Sequence, residues 1–182
     1  MAAELSDGTV CLRTPNRAAL EAALGAVRAS IAELTSWTSW CHADYAQVDV
    51  ERFLRKVEAE RFEDLAYDFY IFDRAATRVL GGCGLYHIDR AVGSASLGYW
   101  VRSDATGLGI ATAAGRLVVG FGFRELELTR IEIVVAVGNA ASQRVAAKLG
   151  AVREGVLRNR LRLHGRPTDA VGFSLIPGDV PW

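Results

Sequence analysis

The sequence has few of the residues that build extracellular frameworks. Its 182 residues include only three cysteines, Cys11, Cys41 and Cys83, which are widely spaced and odd in number. This count argues against a disulfide framework and suits a reducing compartment. An excess of one charge is also missing, because 21 basic residues balance 21 acidic ones. We therefore expect no direct nucleic-acid partner and no membrane partner.

Long apolar runs are absent as well. The longest apolar stretches are broken by Gly, Arg or Glu before they reach the length of a membrane span. The opening "MAAELSDGTV" lacks the basic segment and apolar core of a secretory signal. There are four prolines and no internal repeat or low-complexity linker. With an apolar content of 51%, typical of globular proteins, the sequence predicts one cytoplasmic domain over residues 1–182.

The first half of the chain predicts one strand, two helices and then three strands. The strand covers residues 9–14, and Thr14 as N-cap with Pro15 at the first helical position opens a helix over 14–34. A second helix is predicted over 48–62. The next three strands are predicted over 67–73, 78–89 and 94–101. Their short connections make them an antiparallel meander.

The second half predicts helix, strand, helix and a final hairpin. The helices cover 110–126 and 139–150, the latter capped by Asn139, and the strand between them covers 130–137. Two last strands flank a turn at His164–Gly165. The resulting fold class is α/β (α+β), with seven strands, four helices and one parallel crossover. That order excludes a doubly wound Rossmann sheet and an all-β barrel.

A glycine pair, Gly107 and Gly109, stands between a strand and a helix in "ATGLGIATAAG". Backbone N–H groups in such a loop can approach an anion at the helix N-terminus. The loop has no lysine, as a Walker A loop requires, and Thr112 replaces the small residue of the dinucleotide fingerprint. By itself the pair fits a phosphate loop or a helix-entry turn equally well.

Three stretches taken in order carry a family resemblance. They are "GYWV" with the glycine loop, then "RIE…V…NAAS…A…KLG", then "EGVLR…G…D", and they extend from about Gly81 to Ile176. Together they resemble the GNAT acyl-CoA N-acetyltransferases, and within them the RimJ/RimL type that acetylates ribosomal-protein N-termini. The resemblance implies the GNAT fold, a mixed and mostly antiparallel seven-stranded sheet flanked by four helices. It also implies acetyl-CoA as co-substrate and no metal.

The resemblance assigns residues to the binding of acetyl-CoA. Backbone amides of the loop would hold the pyrophosphate; these belong to Leu108, Gly109, Ile110, Ala111 and Thr112. The strand ending at Val101 would part from the "RIEIVV" strand and polarise the thioester carbonyl. Asn139 and Ser142 fall where the family contacts the pantetheine arm and sulfur, and both also suit helix capping. Ser142 is the residue expected to hydrogen-bond or protonate the departing thiolate.

The phosphate end shows one departure from the family. The family loop begins with Gln or Arg where this chain has Thr106, which implies weaker CoA binding or compensation by Arg102. Arg144 and Arg116 would reach the 3′-phosphate or adenine end, or else remain solvated on their helices.

The acceptor side is less clearly marked. Glu132 is a candidate base acting through water, or a strand carboxylate paired with Arg130. His42 and His87 are rival candidates, although a lone histidine is often structural.

An aromatic segment, "WTSWCHADY", lies between the first two predicted helices. Trp37, Trp40, His42 and Tyr45 would form a substrate wall, or bury themselves in the core. Arg158, Arg160 and Arg162 alternate along a strand and are expected on one face, solvated or facing an anion.

The sequence therefore predicts an acetyl-CoA-dependent N-acetyltransferase that uses direct ternary-complex attack. The acceptor is a primary amine: a protein N-terminal α-amine, or alternatively a small-molecule amine. A non-catalytic acyl-CoA-binding regulator is the alternative from a different class. The oligomeric state stays open, with a homodimer among the possibilities.

Overall fold

The computed structural model describes residues 4–179. It contains eight strands: β1 (Glu4–Ser6), β2 (Val10–Arg13), β3 (Tyr67–Asp73), β4 (Val79–Asp89), β5 (Ser94–Val101), β6 (Arg130–Ala136), β7 (Val152–Leu163) and β8 (Arg166–Leu175). Its five α-helices are α1 (Leu20–Arg28), α2 (Ile31–Trp37), α3 (Gln47–Phe62), α4 (Ile110–Arg124) and α5 (Ala140–Lys148). All eight strands form one sheet in the order β1-β2-β3-β4-β5-β6-β8-β7. The α/β fold class and the order of elements are confirmed.

Two element counts differ from the prediction of seven strands and four helices. The extra strand is β1, which forms a hairpin with β2. The extra helix arises because the predicted 14–34 helix breaks after Arg28. At the break, the buried Ser30 hydroxyl bonds the Ala26 carbonyl (3.0 Å) and accepts the Ser103 N–H (3.0 Å). The break thereby ties the α1–α2 corner to the segment that leads into the glycine loop.

The start of the first helical segment also differs from prediction. Asn16, not Thr14, provides the cap, because its Oδ1 accepts the Ala18 N–H (3.0 Å). A short 3-10 turn, Arg17–Ala19, follows, and α1 begins only at Leu20. An asparagine oxygen reaches an amide two residues ahead, so it caps the tighter turn that precedes the α-helix.

The sheet carries apolar layers on both faces. Side chains alternate along each strand, so neighbours such as Phe69 and Tyr70 on β3 enter different clusters. Phe69 packs with Val118 of α4, whereas Tyr70 belongs to the cluster of α1 and α3. Helix α4 therefore covers one face, and α1 with α3 covers the other.

The connectivity places a gap in the sheet. Strands β3, β4 and β5 form the predicted antiparallel meander, and β5 and β6 are the parallel pair joined through α4. The parallel pairing covers only Ser94–Ser96 against Arg130–Glu132. Beyond it, β5 stays with β4 up to Val101, while β6 stays with β8 up to Ala136. The two strands part, and residues 97–101 and 133–136 face an open wedge.

The C-terminal hairpin turns at His164–Gly165, as predicted, with φ values of +50° and +74°. Its strand β7 is irregular, because the register shifts between Leu157 and Leu161, with Asn159 at a φ of +52°. The regular alternation expected for the three β7 arginines is therefore interrupted. Among residues 4–179, no helix has the length and apolar character needed to cross a membrane.

Candidate active site

The wedge between β5 and β6 opens into a cleft of about 1290 Å³. Its walls come from the parted strands, the glycine loop, the start of α5 and the segment between α2 and α3. Of the residues singled out from the sequence, those lining the cleft are Trp37, Trp40, Tyr45, Cys83, Val101, Thr106, Gly107, Gly109, Ile110, Ala111, Thr112, Asn139, Ser142, Arg144, Arg160 and Arg162. Leu108, Glu132, His42, His87 and Arg158 are not among the lining residues.

The glycine loop presents unpaired backbone donors at one end of the cleft. Gly107 and Gly109 have φ values of +78° and +79°, a left-handed conformation that favours glycine. In the described part of the chain, the first amide of this segment with a backbone acceptor is that of Ala113, which donates to the Gly109 carbonyl (2.9 Å). The amides of residues 107–112 thus remain available at the N-terminus of α4. Such a group of donors fits the pyrophosphate of a nucleotide-like ligand.

Leu108 contributes to this loop through its backbone only. Its side chain is 70% exposed and lies outside the cleft. Thr112, by contrast, is 8% exposed and lines the cleft.

Arg102 is held away from any compensating role for Thr106. Its guanidinium makes two bonds to Asp104, at 2.7 and 3.1 Å, and Asp104 also pairs with Arg78. The Thr106 hydroxyl turns back to the Ser103 carbonyl (2.9 Å). The loop therefore offers amides and the helix terminus to an anion, and neither of these two side chains is placed to add a charge.

We expect Thr106→Arg to tighten acetyl-CoA binding by about three- to tenfold, because it adds a charge-assisted contact at the phosphate end. The gain should shrink as ionic strength rises. Thr129→Arg is the matched control, since it adds the same charge at a threonine outside the cleft. Titration calorimetry at low and high salt measures both. Equal tightening by the two variants would show only a general charge effect.

The start of α5 places a hydroxyl pair in the cleft. The Asn139 side chain caps the helix by accepting the Ser142 N–H (3.0 Å). The Ser142 hydroxyl lies 3.0 Å from the Tyr99 hydroxyl, which also donates to the Ser142 carbonyl (3.0 Å). Burial raises the pKa of Tyr99 to about 12, so its phenol stays protonated at neutral pH. The single hydroxyl hydrogen of Tyr99 can be donated to the Ser142 carbonyl or to the Ser142 hydroxyl, and in the second arrangement the serine hydrogen is left for an anion in the cleft.

Tyr99 was not assigned a role from the sequence. Its place in the "GYWV" stretch marked it only as part of a strand. Its hydroxyl meets Ser142 because β5 has left β6, and α5 packs beside the opening. The contact joins residues 43 positions apart, so no local pattern reveals it.

Two arginines near the phosphate end take different positions. Arg144 is exposed on α5 and lines the cleft. Arg116 lies outside the cleft and donates to the Lys148 carbonyl (3.3 Å), which links α4 to the end of α5.

The other end of the cleft has an aromatic wall, which we define as Trp37, Trp40, Tyr45 and Trp100. The Trp40 ring lies 5.8 Å from Tyr45 and 5.9 Å from Trp100, measured between ring centroids. Trp37 is 42% exposed and Trp40 is 43% exposed, so neither is a core residue. The Trp37 ring lies next to Gly138, in the turn between β6 and α5. A Cβ built at Gly138 would lie 3.3 Å from a carbon of that ring. The wall therefore covers the mouth of the wedge.

His42 supports this wall from outside. Its ring lies 5.7 Å from that of Tyr45, and its Nε2 lies 3.4 Å from Asp49 Oδ2. Asp49 in turn accepts the Ala46 N–H at the start of α3 (2.9 Å). His42 thus contacts Tyr45 and Asp49, which line the cleft, but is not itself a lining residue.

Glu132 and His87 lie apart from the cleft. Glu132 belongs to the paired part of β6 and binds Arg130 (3.0 Å), which also binds Glu154. Hydrogen bonds from Arg130 and Ser174 lower the pKa of Glu154 to about 2. Glu154 is therefore ionised at neutral pH and forms an ion pair with Arg130. His87 is exposed, with a φ of +52°, where β4 departs from regular pairing. The catalytic role of Glu132 and the substrate role of His87 stay predictions.

Comparison with known sequences identifies a family. A family model described as an acetyltransferase (GNAT) domain matches residues 9–152. YdaF of Bacillus subtilis (strain 168), which carries the name ribosomal N-acetyltransferase, is 38% identical over 96 residues. That alignment covers 53% of this chain and 52% of YdaF, so the chain spans about half the length of that relative.

Solved structures share the fold over almost the whole chain. Mycobacterium smegmatis RimJ in complex with a CoA disulfide has a TM-score of 0.88 and 25% identity, and the match covers 100% of this chain and 89% of RimJ. RimL, a ribosomal L7/L12 α-N-protein acetyltransferase in complex with coenzyme A, has a TM-score of 0.87 and 21% identity, covering 97% and 98%. The likeness to RimL shows the fold alone.

Proposed function

Because the chain belongs to the GNAT acetyltransferase family, we propose that it transfers the acetyl group of acetyl-CoA to the N-terminal α-amine of a protein. The family makes the protein an acyltransferase; the protein acceptor is the proposed part. The observation that carries the proposal is the parted β5–β6 wedge, with free loop amides at one end and an aromatic wall at the other.

The residues present fit acetyl-CoA. The loop amides of residues 107–112 and the positive end of α4 suit a pyrophosphate, and Arg144 adds a charge to the cleft. Strand β5 leaves the backbone of residues 97–101 without a β6 partner. Those groups can pair with the amide-containing pantetheine arm as a further strand would. The co-substrate supplies an activated thioester, and the chain supplies its orientation.

At the reacting end, Ser142 stabilises the sulfur as it leaves. A thiol has a pKa of about 8.5, so the departing thiolate is basic enough to benefit from a hydrogen bond. Ser142 can give that bond when the Tyr99 hydrogen turns from the Ser142 carbonyl to the Ser142 hydroxyl oxygen. Backbone N–H groups of the open β5 edge are placed to bind the thioester oxygen as negative charge develops on it.

An α-amine suits a cleft of this kind. Its pKa of about 8 is roughly 2 units below that of a lysine side chain, so about a hundredfold larger fraction is neutral at pH 7. An exposed protein terminus can enter between Trp37 and Trp40, whose rings lie at the mouth of the wedge. The name of YdaF points to a ribosomal acceptor. Three free, buried cysteines are consistent with action in the cytoplasm, which we include in the proposal.

The test is acetyl transfer to matched peptides. One peptide has a free α-amine and no lysine, and the other has a blocked N-terminus and one lysine. We expect CoA release and a mass gain of one acetyl group with the first peptide only. Acetylation of small amines but of neither peptide would replace the protein acceptor with a small-molecule one. Binding of acetyl-CoA without turnover on any amine would indicate a regulator.

A further inference from the structure

Asp68 is a buried carboxylate that no role described above uses. It lies on β3 with 3% of its surface exposed, and it lines the cleft. Its Oδ2 has no hydrogen-bond partner within residues 4–179, while the carboxyl group is hydrogen-bonded to the Tyr86 hydroxyl. Burying a carboxylate with one oxygen unpaired is costly. A carboxylate that destabilises the fold in this way and lines a cleft calls for a functional explanation.

The sheet register shows how Asp68 connects to the reacting end. Asp68 pairs with Gly84 on β4, and Gly84 pairs with Gly98 on β5. Gly98 belongs to the part of β5 that has left β6. The row Asp68–Gly84–Gly98 therefore runs across two strand spacings, about 10 Å, from the buried carboxylate to the wedge.

Tyr86 bridges this row. A Cβ built at Gly98 would lie 2.7 Å from a Tyr86 ring carbon, and one built at Gly84 would lie 3.1 Å from the Tyr86 hydroxyl. The two glycines thus leave the space that the Tyr86 ring occupies. The ring packs over Gly98 of β5, and its hydroxyl lies beside Gly84 of β4, between Asp68 and the open part of β5. Both side chains line the same cleft.

We propose that Tyr86 and Asp68 form the proton acceptor for the incoming amine. The ammonium group of the acceptor lies against the Tyr86 hydroxyl. One of its protons passes to the Tyr86 oxygen while the phenol proton passes to Asp68. The neutral nitrogen then forms the C–N bond, and the C–S bond breaks with its electron pair on sulfur. The second proton leaves the nitrogen for that sulfur, and Asp68 later releases its own proton to water.

The charges around Asp68 permit this role. Helix α3 presents Lys56, Glu60 and Arg61, β4 presents Tyr86 and Cys83, and β3 itself adds Tyr70. Lys56 is paired with Glu60 (3.1 Å), and the Arg61 guanidinium stacks on the Tyr67 ring (4.8 Å). Neither cation makes an ion pair with Asp68 in the described structure. Burial is the main influence and raises the pKa of Asp68 to about 6, so the carboxylate is ionised at pH 7 and basic enough to take a proton.

This inference rests on the proposed function and has a specific pH signature. With Asp68 present, kcat/KM for the amine should rise through pH 6 and be near its maximum by pH 7. In Asp68→Asn the amine must already be neutral in solution, so the rise should move to the amine's own pKa, about 8. We expect kcat/KM about 20-fold below wild type at pH 6.5 and within about threefold at pH 9. Tyr86→Phe should give the same displacement, because it interrupts the proton path.

Two controls separate the outcomes. Glu63→Gln removes an exposed carboxylate at the end of α3 that does not line the cleft, and its pH profile should match wild type. Asp68→Asn should also melt at a higher temperature than wild type at pH 8, with the difference vanishing near pH 4, because the buried charge destabilises only when ionised. A parallel pH profile in Asp68→Asn would overturn the inference even if the protein acetylates amines. Absence of acetylation by the wild-type protein would instead overturn the proposed function.

Discussion

Replacing Ser142 with alanine should lower kcat by about 100-fold or more while changing the KM for acetyl-CoA by less than about threefold. The serine hydroxyl donates to negative charge that develops on sulfur only as the C–S bond breaks. Removing one such donor typically lowers kcat by a factor of about 10² to 10³. Ground-state binding depends mainly on the loop amides, which this substitution leaves in place. Steady-state kinetics with release of free CoA as the readout measures both parameters.

Tyr99→Phe tests whether the hydrogen bond between Tyr99 and Ser142 contributes to the role of the serine. It keeps the ring and removes the hydroxyl 3.0 Å from Ser142 Oγ. We expect about a tenfold lower kcat, and a Ser142→Ala/Tyr99→Phe double variant no slower than Ser142→Ala alone, because Tyr99 acts through the serine. Ser36→Ala is the control, since this helix serine bonds the Ala32 carbonyl outside the cleft. Additive losses in the double variant would assign Tyr99 an independent role.

Gly109→Val should raise the dissociation constant of acetyl-CoA by about 100-fold. Gly109 has a φ of +79°, and a β-branched residue cannot adopt that conformation without strain. The loop must rearrange, which turns its amides away from the pyrophosphate. Each charge-assisted hydrogen bond lost costs about 1.5–3 kcal/mol, so the loss of one strong bond accounts for the expected change of about 2.7 kcal/mol.

The hairpin between β1 and β2 offers a matched control. Gly8 has a φ of +81° and, like Gly109, has open space where a Cβ would be placed. Gly8→Val should therefore lose stability comparable to Gly109→Val, about 1–3 kcal/mol, without weakening acetyl-CoA binding. Thermal unfolding and calorimetry on both variants make the comparison. Equal affinity losses would attribute the effect to strain alone and remove the loop from phosphate binding.

Local pattern was sufficient for most elements of the fold. Strands β3 and β5 occupy the predicted ranges, and α3 and α5 begin within one residue of them. These segments have strong periodicity and clear end residues, such as Asn139 at the start of α5. The errors occur where tertiary contacts compete with pattern. The long first helix breaks at Ser30, whose hydroxyl accepts the N–H of Ser103, a residue 73 positions away.

The residues of the candidate site also divide into those that local sequence indicates and those that only the tertiary structure brings together. Residues of the glycine loop and of the α5 start could be named from sequence, because their chemistry resides in consecutive backbone groups and a helix cap. The acceptor side could not. Asp68 in "YDFYIFD" is a single carboxylate in an apolar strand, and only its register with Gly84 and Gly98 connects it to the wedge. Glu132 lies in the part of β6 still paired with β5, and its catalytic role stays a prediction.

The sequence by itself determined the order of elements, the family and the position of the glycine loop, since these follow from residues close together in the chain. Only the tertiary structure decided where β5 leaves β6, and therefore which side chains share the cleft. That separation is set by pairing between strands distant in sequence, because β5 follows β4 and β6 follows β8 beyond Ser96 and Glu132. The contact of Tyr99 with Ser142 is a consequence of that divergence, whereas the proximity of Tyr86 to Asp68 follows from the pairing of β3 with β4.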